Sequence, residues 1–206
     1  MEQSVNQIHL RGSLHSPPEF SHENHGRQFY RFFLDVPRLS GTSDILPIIA
    51  ERRTLEAAEI TEGTMIAVTG QIRSHNHRTN GSRHLLIYVF ASSIRCESGP
   101  ALNDVLLDGI ICRPPTYRLT PLGREICDVM LAVPRGFQRS DYLPCILWGR
   151  TAKEISLCCT GDKLQLHGRF QSRCYFKSTD TGMEQKTAYE ISALTVLIPK
   201  EAPPSI

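Results

Sequence analysis

The chain has 206 residues, 40% of them hydrophobic and 21% charged, a balance that excludes global disorder and suffices for one large core or two small ones. The formal net charge is only +2, so any nucleic-acid or membrane affinity must come from local clustering rather than an overall basic excess. Seven cysteines, without a C-x-x-C pair, exclude a disulfide framework and a cysteine zinc site and read as small apolar residues, as in Pro144-Cys145-Ile146. The N-terminus lacks the basic flank and apolar core of a signal peptide, and the longest apolar run, residues 85–94, is far below the ~20 residues of a membrane span. A cytoplasmic, nucleoid-associated protein is expected.

Val5, Ile8, Leu10 and Leu14 begin a strand interrupted by Gly12, and a glycine inside a strand pattern marks a bulge or barrel corner. Strands are expected at 28–36 and 44–50, a helix at 53–60 closing near Gly63, and two more strands at 64–74 and 83–94 around a polar loop, 75–82. After the turn-prone Glu97-Ser98-Gly99-Pro100-Ala101 the series starts again. The second set has strands at 125–133 and 141–148, a helix at 151–158, and strands at 162–175 and 186–198 around 176–185.

The two series are copies of one unit. Asn6 matches Asn103 at a shift of 97 positions, Pro17-Pro18 matches Pro114-Pro115, and Gly26-Arg27 matches Gly123-Arg124. Val36-Pro37-Arg38 matches Val133-Pro134-Arg135, Ser43-Asp44 matches Ser140-Asp141, and Leu46-Pro47 matches Leu143-Pro144. After one insertion the shift is 98, where Gly70 meets Gly168 and Ser74 meets Ser172. A run of identities in one order marks a duplication. The fold class read from this order is all-β with one short helix per repeat: two tandem OB-folds, five-stranded Greek-key barrels spanning 1–98 and 99–206.

The second copy resembles the DNA-binding domain of bacterial single-stranded DNA-binding proteins. The resemblance rests on residues 103–109 (NDVLLDG), 120–125 (TPLGRE), 131–135 (LAVPR), 141–150 (DYLPCILWGR) and 168–175 (GRFQSRCY). The family stacks bases on four aromatic positions, which here are Phe137, Tyr142, Trp148 and Tyr175. Stacking suits sequence-independent binding, because every base has a π-face. Strand alternation agrees, setting Tyr142, Pro144, Ile146 and Trp148 on one face and Leu143, Cys145 and Leu147 on the other, interior one. Arg124, Arg135, Arg139, Arg150, Arg169, Arg173 and Lys177 lie among the aromatics and suit phosphate contacts.

The first copy departs from that pattern. Ser40, Ile45, Glu51 and His77 stand at the four aromatic positions, and its ten arginines are cancelled by ten acids, against thirteen cations and eleven acids in the second half. Arg38, Arg52, Arg53, Arg73, Arg78 and Arg83 remain as weaker backbone contacts, and Phe20, Phe29 and Tyr30 are candidates for exposed aromatics, an interface or ordinary core alike. The first copy is therefore expected to be the weaker binder, or the half that assembles. Seven histidines crowd it, but His75-x-His77 comes without a cysteine or carboxylate constellation, so neither a metal nor another cofactor is expected.

No Walker loop, H-E-x-x-H or G-x-S-x-G occurs, so the protein is not read as an enzyme. The expected function is sequence-independent binding and protection of single-stranded DNA in replication, repair and recombination. The alternative is a primosomal or replisome accessory protein acting mainly through protein contacts. The resemblance implies a working unit of four OB-folds, here a homodimer. Residues 197–206 (LIPKEAPPSI) lack the acidic, aromatic-ended tail by which the family recruits replication and repair proteins, so recruitment by that route is not expected.

Overall fold

The computed structural model describes residues 5–199 apart from 59, 62, 80, 81, 180 and 181, and only the backbone of 79, 82, 83, 177 and 179. The first copy consists of β1 (Asn6–Leu14), β2 (Glu19–Asn24), β3 (Arg27–Pro37), β4 (Ser43–Glu51), α1 (Arg52–Glu56), β5 (Met65–Thr79) and β6 (Ser82–Cys96). The second repeats it: β7 (Leu102–Ile111), β8 (Thr116–Leu119), β9 (Glu125–Arg135), β10 (Arg139–Trp148), α2 (Gly149–Ile155), β11 (Lys163–Thr179) and β12 (Gly182–Leu197). In each copy five strands close a ring, β1-β3-β4-β6-β5 and β7-β9-β10-β12-β11, with β2 and β8 hydrogen-bonded outside on β3 and β9. This is the tandem OB-fold.

Closure depends on glycines at the barrel corners. At Gly12 the first strand leaves β5 for β3, and a Cβ there would lie 2.2 Å from the Asp35 carbonyl oxygen. Gly70 and Gly168 sit at matched bulges, where a Cβ would lie 2.2 and 2.3 Å from the carbonyl oxygens of Phe90 and Ser192. No side chain fits there, which explains why the duplication keeps these positions. Inside the rings the even-numbered residues of β1 and β3 and the odd-numbered ones of β10 form the core, with Phe32 and Phe170 the largest fully buried side chains. Burying one such ring is worth about 1.5–3 kcal/mol.

The two barrels are continuous. β1 and β7 pair antiparallel from Asn6↔Leu107 to Arg11↔Leu102, so the first strands of both copies lose their edges to each other. Where they separate from β5 and β11, matched asparagine amides stand in for a further pairing. Asn6 Nδ2 donates to the Ile72 carbonyl and its Oδ1 accepts the Ile72 N–H, both at 2.9 Å, while Asn103 does the same with Phe170 at 2.6 and 2.9 Å.

A reciprocal carboxylate lock completes the junction. Asp44, 1% exposed, accepts the Ser172 N–H at 2.7 Å and is paired with Arg38, whose Nη2 also donates to the Ser172 carbonyl at 2.9 Å. Across the pseudo-twofold, Asp141 at 0% accepts the Ser74 N–H at 2.8 Å and is paired with Arg73 at 3.1 Å and Arg135 at 3.4 Å. Each copy therefore anchors its aspartate on the other copy's long hairpin.

Several expectations are corrected. The segments expected as loops, 75–82 and 176–185, are mostly strand, because β5–β6 and β11–β12 form long two-stranded ribbons. β2 and β8 were not expected, and both are exposed along their whole length, so neither carries the alternation that marks a half-buried strand. The helices start earlier and are shorter than expected, directly after Glu51 and Trp148. Of the three aromatics left open between surface and core, Phe29 is buried and Phe20 exposed. Among the cysteines Cys127 and Cys145 are buried, whereas Cys96, Cys159 and Cys174 are exposed; burial pushes the Cys145 thiol well up. No helix among the described residues is long and apolar enough to cross a membrane.

Candidate nucleic-acid interface

The outward face of the second barrel is set by strand pairing. β10 turns Leu143, Cys145 and Leu147 into the core, which leaves Tyr142, Pro144 and Trp148 on the outer side. Ile146 shares their parity yet is buried. Register places Ile146, Ser192 and Arg169 in one row across β10, β12 and β11, with Pro144, Glu190 and Gln171 in the next. Trp148 stands at the end of this face, 37% exposed, its indole N–H donating to Ser192 Oγ at 3.1 Å. The ring is thus oriented, with part of its surface open to a ligand.

Tyr142 is 44% exposed, and its backbone N–H donates to Ser74 Oγ of the first copy at 2.7 Å. Phe137 lies on the β9–β10 turn, where it and Gln138 have φ of 61° and 55°. A left-handed phenylalanine costs about 1–2 kcal/mol, and with 98% exposure this ring recovers none of it by packing. A base stacked on it would supply the missing contact.

Tyr175 is placed differently from the other three. It sits on the β11–β12 ribbon, with the Arg173 guanidinium 5.6 Å from its ring centre. The ribbon lies against the first copy, so Tyr175 lines a groove of about 860 Å3 shared with Phe33, Pro47 and Tyr88. Of the four aromatics only Tyr175 lines this groove, which Pro144 of β10 also reaches. Phe137, Tyr142 and Trp148 belong to the outer side of β9–β10, and Tyr175 to the cleft between the copies.

The cations divide as well. Arg139 and Arg124 are exposed and make no ion pair among the described residues. Arg169 is half-buried beside Ser192, and its Nε has no hydrogen-bond partner. Arg150 is almost wholly exposed and bonds Glu154 one helical turn on at 2.8 Å, a contact that yields easily to phosphate. Arg173 lies 3.6 Å from Glu190, which also accepts from Gln171 at 2.9 Å. Arg38, Arg73 and Arg135, read from sequence as phosphate contacts, are each paired with a buried aspartate of the junction. In the first copy Arg52 pairs with Glu56, while Arg53 and Arg78 are exposed. The side chains of Lys177 and Arg83 lie outside the described residues.

Sequence reasoning missed Phe33, Tyr88 and Phe90, half-buried aromatics on the outer side of the first copy. The signal for Phe33 was present, since it alternates in phase with Arg31 and Asp35 rather than with the core residues Phe32 and Leu34.

The profile of the single-strand binding protein family matches residues 102–198. Single-stranded DNA-binding protein B of Bacillus subtilis is 36% identical over 80 residues, 35% of this chain and 71% of that one. The single-stranded DNA-binding protein of Oceanobacillus iheyensis is 30% identical over 95 residues, 43% of this chain and 56% of that one. Single-stranded DNA-binding protein 1 of Staphylococcus aureus is 33% identical over 81 residues, 36% of this chain and 48% of that one. After the first of these, the chain spans about half the length of the curated relatives it matches. Wild-type single-stranded DNA binding protein from Thermus aquaticus has the same fold across both copies, with a TM-score of 0.80 at 23% identity over 99% of this chain and 97% of that one.

Proposed function

Because the chain belongs to the single-strand binding protein family, we propose that it binds single-stranded DNA without regard to sequence, stacking bases on Phe137, Tyr142, Trp148 and Tyr175. Arg139, Arg124, Arg169, Arg150, Arg173 and Lys177 would neutralise phosphates along the same path. The observation that carries this reading is the outer side of β9–β10. There a strained, fully exposed Phe137, an exposed Tyr142 and an indole oriented by Ser192 stand beside arginines without ion pairs. Coating single strands exposed in replication, repair and recombination is the role that such binding serves.

Trp148 is the only tryptophan, so it reports on the site directly. Oligothymidine is expected to quench its fluorescence, and the affinity should fall with rising salt by a log–log slope of roughly 0.7 per phosphate neutralised. An emission spectrum unchanged at saturating oligonucleotide would remove Trp148 from the site.

A homodimer, bringing four OB-folds together, is part of the same proposal. β1–β7 pairing already satisfies the central edges, so support for the dimer comes from a sheet face. On the outer side of the second copy's half of the joined sheet, Leu106 and Ile110 of β7 and Leu197 of β12 are exposed. The matching positions of the first copy, His9 and Ser13, are polar. Exposed apolar side chains on one sheet face favour self-association. Light scattering should give twice the 23.2 kDa of the chain, and the double variant Leu106→Glu, Leu197→Glu should return it to 23.2 kDa. A wild-type mass of one chain, with or without DNA, rules the dimer out.

A further inference from the structure

The first copy carries aromatic residues on its outer side at positions other than those the family resemblance assigns. Pairing places Phe33, Pro47, Tyr88 and Arg73 in one row across β3, β4, β6 and β5, and Arg31, Ile49, Phe90 and Gln71 in the next. The same rows in the second copy read Met130, Pro144, Glu190, Gln171 and Asp128, Ile146, Ser192, Arg169. Three aromatic rings therefore replace a thioether, a carboxylate and a hydroxyl, and a guanidinium replaces a second carboxylate. The first copy has lost its rings on β4 and gained others on β3 and β6.

Two of these rings, Phe33 and Tyr88, open onto the groove between the copies. Phe33 and Tyr88 line it from the first copy; Tyr175, Tyr189 and Lys186 line it from the second. The Arg31 guanidinium lies 6.0 Å from the Phe33 ring centre, and His22, His75, His84, Ser21 and Thr187 add to the polar lining. No carboxylate lines the groove among the described residues. Among the described residues Arg31 pairs with Glu19 at 3.8 Å and Lys186 with Glu184 at 3.1 Å, and both acids are largely exposed. Exposed pairs of this kind contribute little and exchange readily for phosphate.

We propose that this groove is a second seat for the same single strand. Bases stack on Phe33 and Tyr88, phosphates rest on Arg31 and Lys186, and Tyr175 hands the strand from the second copy to the first. Charge and ring content favour this occupant: the lining combines π-faces with positive charge and presents no fixed negative charge. The proposal rests on the DNA-binding reading above and extends it, making the first copy a binder through residues of its own.

The test uses the full chain and two oligothymidines, one of about 8 nucleotides, within reach of a single fold, and one of about 30. In the double variant Phe33→Ala, Tyr88→Ala, quenching of Trp148 by the short oligomer should stay within about twofold of wild type. Affinity for the long oligomer should fall at least tenfold, since one lost stacking platform accounts for roughly 5- to 150-fold. The occluded length should shorten too. Unchanged long-oligomer affinity and occluded length, the outcome if the groove instead holds a polypeptide, would overturn the proposal. A second variant, Arg31→Gln, Lys186→Gln, touches no core residue and guards against misfolding of the first. It should lower the salt slope for the long oligomer by roughly 0.7 per lost contact, and an identical slope counts against the groove. Absence of Trp148 quenching in the wild type is a different failure, because it removes the DNA-binding reading itself.

Discussion

Asp141→Ala is expected to destabilise the protein by about 3 kcal/mol, read as a lower urea midpoint. The carboxylate is wholly buried and accepts the Ser74 N–H at 2.8 Å, so its loss strands a donor at the junction of the copies. It also leaves Arg73 and Arg135 side by side without the charge that both face. Breaking a buried ion pair by removing one partner typically costs about 3–5 kcal/mol. The low end applies here because the surviving side chains are 19% and 30% exposed and can turn towards water. Asp141→Asn keeps an acceptor for Ser74 and should lose less. Asp44→Ala should behave alike, since Asp44 makes the reciprocal contacts with Arg38 and Ser172. A midpoint shift worth less than about 0.5 kcal/mol, the range of an ordinary surface substitution, would show that the lock does not hold the copies together.

Trp148→Ala and Tyr175→Ala should each weaken single-stranded DNA binding by roughly 1–3 kcal/mol, the usual loss for one stacking platform. Both rings are 37% exposed, so most of the loss should appear in binding rather than in stability. Trp148→Phe retains a ring and should recover most of the affinity, which a purely packing role would not require. Binding to the Tyr175 variant would be followed by the remaining Trp148 signal. The matched first-copy changes, Glu51→Ala and His77→Ala, should do far less: Glu51 pairs with Arg27 at 3.4 Å and His77 is exposed on the ribbon. Equal losses at matched positions of both copies would refute the division of stacking residues described above.

The duplication was legible because each barrel repeats the same steric demands: glycine at the corners, asparagine beside the departing strand, aspartate at the junction. The face of β10 was legible too, since alternation alone separates Tyr142 and Trp148 from Leu143, Cys145 and Leu147. The ribbons were not. Residues 75–78 are exposed, and a strand with solvent on both sides has no hydrophobic period to reveal it. β2, exposed at all six positions, was hidden for the same reason.

What the amino-acid sequence by itself determined was the number of barrels, their order of strands and helix, and which copy keeps aromatic residues at the family's stacking positions. The first two follow from local periodicity and from a register carried along one strand at a time, and the third from the family resemblance. Only the tertiary structure decided the partners. It assigned Arg38, Arg73 and Arg135 to Asp44 and Asp141, set Tyr175 against the other copy, and gathered Phe33 and Tyr88 around one groove. The physical reason is that an arginine, or a ring on a strand, reads the same in sequence whether it faces phosphate, a base or a buried carboxylate. Its role is settled by what barrel closure and the β1–β7 pairing bring within a few ångströms of it, from residues up to 134 positions away.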